Sequence, residues 1–370
     1  MSGNNKDAGM IRGRKKTATT VIRVVLGLLF VFSGLIKLND PLGLVFKIEE
    51  YFSAGIFDIS VSPSFVVDMA GMLITLEIIL GAILLMGRFK TFALWTLLAL
   101  NAGFTFLTFY SAVTGSVSDC GCFGEAIKLS PWVSFSKNIV ILAAVIVLIM
   151  WQRFIKPSVG FRKSMSVIAL IFAFSLAVMY YVLRYEPIVD FRPYKVGVDI
   201  KKSMELPTGE NTPIFEHVWT YQVDGKKKKF TDEEEPWNIP DAQFVSRDTR
   251  LVSGKLPEIT DFSVMAPDGQ DITDSLLAMD RVLLITCFNM AESKAEKWKA
   301  INAYVARKGI PVYLLSNTDN NIYIEEFGIE IPVCFTDPVT LKTIMRANPG
   351  VVELKNGVIV SKRSCYDLHD

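Results

Sequence analysis

Apolar and polar positions divide this chain into two halves with different rhythms. Five long apolar runs, roughly 18–37, 64–86, 91–113, 133–154 and 164–184, fill the first half and break only at short polar loops. A bilayer core takes about 20 helical residues at about 1.5 Å each. Every run is long enough, so the pattern predicts five transmembrane helices rather than buried helices of a soluble fold. Beyond residue 185 the runs shorten and charges become dense.

Residues 186–255 are polar, with prolines at 187, 193, 207, 213, 236 and 240. Alternation from Glu216 to Thr231 around Asp224-Gly225 predicts a hairpin. Lys226 to Lys229 read as a solvated strand edge, since lysines blunt edge pairing. From 256 onward, short apolar runs at 281–288, 311–316 and 331–335 alternate with helical patterns near 291–308, 320–328 and 338–346. A last hairpin, 351–354 and 357–361, turns at Asn356-Gly357. Strand–helix alternation predicts an α/β layer fold. The expected organisation is a basic tail (1–16), a four-helix membrane domain (17–160), a fifth membrane helix (161–185), a β-containing connector (186–255) and an α/β domain (256–370).

Composition agrees with that division. Of 370 residues, 51% are apolar, while the net charge is only +1. No basic block interleaved with aromatics points to nucleic acid. The two histidines, His217 and His369, stand far apart without a second ligand at metal spacing, so no metal centre is expected. No small-residue cleavage site follows the first run, which reads as a retained helix. Lys6, Arg12, Arg14, Lys15 and Lys16 in the tail, Arg88 and Lys90 in one loop, and Arg153, Lys156, Arg162 and Lys163 in another mark one side of the membrane. The intervening loops mix Lys37, Lys47 and Lys128 with acidic residues. The positive-inside rule then puts the N-terminus in the cytoplasm, and five crossings put the region after 185 outside.

Within the apolar runs, Arg23, Gly27, Phe30, Gly34 and Lys37 share one helix face, Glu77 lies deep in the second run, and Asn101, Thr105 and Thr108 form a polar stripe. Charge inside a bilayer is costly, so Arg23 and Glu77 should face the bundle interior and each other. Such groups either fix helix register or handle protons. Five cysteines is an odd count, leaving at least one outside any intrachain pair. Two stand in Asp119-Cys120-Gly121-Cys122-Phe123-Gly124, a turn-rich stretch between the third and fourth runs. A disulfide across one residue is strained, and such bonds are labile. The spacing is compatible with thiol–disulfide exchange, with two buried thiols, with a metal-binding pair, and with separate bridges to distant cysteines.

Two resemblances narrow this. Gly27-Leu28-Leu29-Phe30-Val31-Phe32-Ser33-Gly34-Leu35-Ile36-Lys37-Leu38 resembles the opening motif of DoxX-type membrane proteins, and Asp119-Cys120-Gly121-Cys122-Phe123-Gly124 resembles their MauE branch, over about 15–155. This implies a four-helix bundle with Cys120 and Cys122 as the redox pair and a membrane quinone as cofactor. Asp119, Gly121 and Phe123 of the motif, with Arg23, Lys37, Glu77 and Asn101 read from the helix faces, are the supporting candidates. The tail resembles a thioredoxin-like domain. Asn348-Pro349-Gly350 matches its cis-proline turn and Leu283 to Thr286 its first active-site strand. Where that family carries Cys-x-x-Cys, this chain reads Ala291-Glu292-Ser293-Lys294, and Cys287 lies earlier. Cys287 and Cys334 therefore read as buried strand residues, and Cys365 as the candidate free or exchanging thiol of this domain.

Two functions follow. One is a thiol–disulfide redox protein of the bacterial inner membrane, exchanging with a periplasmic thiol protein. The other is a non-catalytic, membrane-anchored assembly or chaperone factor whose thioredoxin-like domain binds a client. A transporter fits less well, because no repeated pair of broken helices is present.

Overall fold

The computed structural model describes residues 3–368 except 54–55, 116, 118–120, 122–123, 125, 128, 207–211, 224–225, 241 and 319–320. The chain divides into two units, one running to Arg192 and one spanning Pro193–Leu368.

The first unit holds α1 (Gly3–Asn39), α2 (Pro41–Phe52), α3 (Pro63–Met86), α4 (Lys90–Thr114), α5 (Pro131–Met150) and α6 (Phe161–Arg184). All but α2 are long and apolar enough to cross a membrane, and they coincide with the five apolar runs. Proline stands in the first turn of α2, α3 and α5, where its missing N–H costs nothing, and Asp40 and Ser62 cap α2 and α3.

The short helix α2 lies in what the sequence pattern reads as a loop. Asp40-Pro41 starts it, and Leu44 and Val45 bury it in one cluster with Val66, Ala70 and Ile74 of α3. It is too short to span a bilayer, so span-length windows miss it. Helices α1 and α3 approach closely: a Cβ on Gly34 would lie 2.5 Å from Ile78 Cγ1. Small residues permit such backbone contact where lipid, not water, surrounds the helices. By contrast α6 buries only Ser164, Ser175 and Val182, leaving Leu170, Phe172, Phe174 and Leu176 exposed for lipid.

The second unit contains α7 (Ile200–Met204) and an antiparallel sheet of β1 (Ile214–Val223), β2 (Lys226–Phe230) and β3 (Gln243–Ser253), ordered β2-β1-β3. The predicted hairpin is β1–β2, in register from Trp219↔Phe230 to Val223↔Lys226, while Asp224-Gly225 lie outside the described residues. Strand β2 is an edge, with Lys228 and Lys229 exposed.

There follow α8 (Thr273–Leu277), β4 (Val282–Cys287), α9 (Ala295–Lys308), β5 (Val312–Ser316), α10 (Asn321–Glu326), β6 (Val333–Phe335), α11 (Pro338–Ile344), β7 (Gly350–Lys355) and β8 (Val358–Ser364). The sheet order is β6-β5-β4-β7-β8, with β4 parallel to β5 and antiparallel to β7. That is a thioredoxin-like layer, and the Asn348–Pro349 peptide is cis. Strand β4 is buried along its whole length. Val282 and Leu284 face one cluster with Leu341 and Ile344 of α11, and Leu283 and Ile285 face the other with Trp298 and Ile301 of α9. Period-two alternation thus buries both faces of a central strand.

The boundary expected at 255/256 is drawn differently. Tyr194 and Ile200 are 1% and 2% exposed within the same core as Val264, Leu276 and Ile359. Asp199 bridges Val358, and Gly197 N donates to Ile359 O at 2.8 Å. Residues 193–204 therefore belong to the α/β core, and β1–β3 are an excursion between two stretches of it.

Candidate thiol site and buried charges

Asp119, Cys120, Cys122 and Phe123 lie outside the described residues, whereas Gly121 and Gly124 are described. Gly121 (φ 61°) and Gly124 (φ 54°) both occupy the left-handed region, and Gly124 N donates to Gly121 O at 3.0 Å. Only glycine enters that region freely, so a side chain at either position would be strained. A Cβ on Gly121 would lie 3.2 Å from Lys47 Cγ, and one on Gly124 3.7 Å from Ile36 Cγ2. The turn therefore rests on α2 and on the last turn of α1.

Next to Ile36 is Lys37, whose Nζ lies 2.7 Å from Glu77 Oε2, the two side chains being 7% and 13% exposed. Lys37 Nζ also sits 5.7 Å above the Phe104 ring. A lone charge at membrane depth costs about 2.5–3.5 kcal/mol on insertion scales. Pairing removes most of that cost. Beside the pair is a cavity of about 50 Å³, lined also by Ser33, Asn101, Lys137 and Asn138. Asn101 Nδ2 donates to Asn138 O at 2.9 Å, Asn138 Nδ2 to Thr108 Oγ1 at 3.3 Å, and Thr105 Oγ1 to Asn101 O at 2.6 Å. The polar stripe on α4 thus finds its complement on α5. Asn138 was not singled out from sequence, although it is a lone amide inside an apolar run.

The cavity tests the quinone that the DoxX-type resemblance implies. A void of roughly 150 Å³ accommodates a benzene-sized ring. The space beside Lys37 and Glu77 is a third of that and is water-sized, whereas a cavity of about 390 Å³ between α3 and α6, lined by Val67, Gly71, Thr75, Phe172 and Met179, is large enough for such a ring.

Arg23 is not where the sequence places it. It does not meet Glu77, which Lys37 takes. Instead Arg23 lies at the other end of the bundle, where its Nη1 would collide with a Cβ on Gly87, the residue that ends α3. The spacing explains the change: Lys37 lies nearly four helical turns from Arg23, and only one of them can share a level with Glu77. At the end that holds Lys37, Asn39 Nδ2 donates to Val189 O at 2.8 Å and Val189 N to Asn39 Oδ1 at 2.9 Å. There Arg192, 1% exposed, bonds Asp190 Oδ1 at 2.7 Å and Glu186 Oε2 at 2.6 Å. Burial opposes its charge, yet Glu186 and Asp190 hold its pKa above the ordinary value.

In the α/β unit, Cys287 ends β4 and is fully buried. Burial pushes its thiol up to about 12, against smaller opposing effects from Asn289, Ser293 and Lys297. Cys334 is buried in the opposite cluster, and its pKa is likewise raised by burial. Cys365 is 7% exposed beside Leu368 in the core, so the thiol expected to exchange with partners is enclosed at the end of β8. It directly follows Ser364, the last residue of β8, and is held in the cluster of Trp298, Ile301 and Leu368.

The place where a thioredoxin-like site would sit is filled by internal bonds. Asn348 Nδ2 donates to Asn289 O at 2.6 Å, Asn289 N to Asn348 Oδ1 at 3.3 Å, and Lys297 Nζ to Asn348 O at 2.8 Å. Ser293 Oγ accepts from Trp298 Nε1 at 2.8 Å. Among the described residues no cluster of three metal-ligating side chains occurs.

These features define an integral membrane protein: a bundle with five helices of spanning length, joined to a water-soluble thioredoxin-like unit. Within it, residues 15–152 match the model of the family described as methylamine utilisation protein MauE. No curated protein matches the chain. Among solved structures, a candidate protein disulfide isomerase from Bacteroides thetaiotaomicron is similar over 29% of this chain and 76% of its own, at 16% identity and a TM-score of 0.24.

Proposed function

We propose that this protein is a membrane thiol–disulfide exchange protein whose working pair is Cys120 and Cys122. The observation that carries this reading is the contrast among the five cysteines. Cys287, Cys334 and Cys365 are buried, the first two in strands and the third just after β8, with Cys287 far from ionising at neutral pH. The remaining two, Cys120 and Cys122, flank Gly121 in the stretch of sequence between α4 and α5, apart from those three. Only a thiolate attacks a disulfide, so buried neutral thiols are poor candidates.

In the exchange, one thiolate of the pair attacks a partner disulfide and releases one partner thiol. The second thiolate then attacks the mixed disulfide. The pair ends as a disulfide and the partner as a dithiol, with two electrons and two protons passed on. The opposite direction reverses each step. No step is routed through a quinone. The basic ends of α1, α3 and α5 face the cytoplasm of a bacterial inner membrane in this reading, and the Cys120–Cys122 turn and the α/β unit face the periplasm.

Whole cells treated with a membrane-impermeant alkylating reagent test it. Cys120 and Cys122 should change labelling with external oxidant and reductant, and Cys120→Ser and Cys122→Ser should each trap or abolish a mixed disulfide. Labelling that never changes, with both serine variants fully functional, would refute the proposal.

One observation favours the assembly-factor reading. The filled site around Asn348 and Lys297 gives the α/β unit no thiol chemistry of its own, as befits a client-binding module. Fully functional serine variants would select that reading.

A further inference from the structure

Arg23 is the least satisfied charge in the bundle. It is 8% exposed, and its Nη1 is buried with no hydrogen-bond partner among the described residues. The guanidinium sits against Gly87, which closes α3 with φ 65°. A Cβ there would meet Arg23 Nη1 and lie 2.6 Å from the Lys156 carbonyl oxygen. Several carbonyls at this end are already committed. Gly87 N bonds Ile83 O and Leu84 O, Ser158 N bonds Met86 O at 2.9 Å, and Lys90 Nζ takes Gln152 O and Ile155 O at 2.6 and 3.0 Å.

No carboxylate is at hand either. Residues 9–39, 78–100 and 138–173 contain no aspartate or glutamate. The same end of the bundle is rich in cations held in place: Lys15 lies 5.9 Å from the Trp151 ring and Arg88 5.5 Å from that of Phe161. A buried guanidinium with open donors, inside a field of one sign, calls for an anion. Gly87 ends an apolar run, which puts that anion at the level of lipid headgroups. The planar guanidinium fork matches phosphate oxygens, and basic pockets between membrane helices recognise such headgroups.

We propose that Arg23, beside the end of α3 at Gly87, binds the phosphate of an anionic phospholipid at this end of the bundle. The inference is independent of the thiol chemistry. Native mass spectrometry of the full chain, delipidated in detergent, tests it with three probes: phosphatidylglycerol, phosphatidylcholine and inorganic phosphate. Wild type should retain phosphatidylglycerol about tenfold better than phosphatidylcholine, the scale of a charge-assisted contact. Arg23→Lys should keep most of that preference and Arg23→Met should abolish it. Without anionic lipid, Arg23→Met should melt no lower than wild type, because it removes an unpaired charge. Adding phosphatidylglycerol should raise the melting point of wild type and leave that of Arg23→Met unchanged. An equal lipid preference in wild type and Arg23→Met overturns the site. Stabilisation by inorganic phosphate alone, without lipid retention, overturns the lipid as its occupant.

Discussion

The membrane unit and the α/β unit both bury groups that ought to be reactive, and they treat them in opposite ways. In the bundle, Lys37 and Glu77 meet as a pair at 2.7 Å, with asparagines and a small cavity beside them. In the α/β unit, Cys287 is kept neutral by simple enclosure between strand and helix. Pairing preserves chemistry in a low-dielectric setting, whereas enclosure suppresses it. The α/β unit thus encloses its thiols, while the helical unit holds an ion pair beside asparagines.

The strongest way to break this comparison is to unpair the bundle's ion pair. Glu77→Ala leaves Lys37 buried alone and should cost about 3–5 kcal/mol. The joint change Lys37→Met with Glu77→Leu should recover most of it. Thermal unfolding in detergent, followed by size-exclusion chromatography, reads both. Equal losses in the single and joint variants would mean that the pair contributes nothing as a pair.

Enclosure of Cys287 makes a pH-dependent prediction of nearly the same size. Its folded pKa of about 12 exceeds the ordinary 9.0, so folding favours the neutral thiol. That stability is present in full below pH 9 and is lost as pH rises towards 12, by up to about 4 kcal/mol. In the intact chain, Cys287 should resist alkylation at pH 8 and label only as the unit opens. Peptide mapping that finds prompt labelling at pH 8 would show it to be accessible after all.

Smaller effects sharpen the contrast. Gly34→Val drives a side chain into Ile78 and should cost about 1–3 kcal/mol by overpacking α1 on α3. Asn348→Ala removes two bonds to Asn289 and should cost about 1–2 kcal/mol, read as a lower melting point of the α/β unit. A change near zero would mean that the loop holds itself without Asn348.

Much of this was legible from residue order. Spans of about 20 apolar residues leave few alternatives, and so do strands that alternate with helices around Asn356-Gly357 and Pro349. What escaped was shorter or longer in range. Helix α2 has a helix start at Asp40-Pro41 and apolar spacing, but it hides between spans. The partner of Glu77 depended on depth, which periodicity along one helix does not set against another. Asn138 became informative only once α4 and α5 were side by side, where it meets Asn101 and Thr108. The membership of Tyr194 and Ile200 in a core built mostly from residues beyond 256 rests on contacts across β1–β3 and has no local signature.

That last feature decides where the soluble half can be cut. A fragment beginning at 256 would lack the phenol ring of Tyr194, whose hydroxyl reaches Asp261 at 3.3 Å, and the side chain of Ile200. It would open a hole in its hydrophobic layer and bare the backbone of β8 at Ile359. An expression fragment that starts at Pro193 keeps both, and could in turn lose β1–β3 to a short linker without touching the layer beneath.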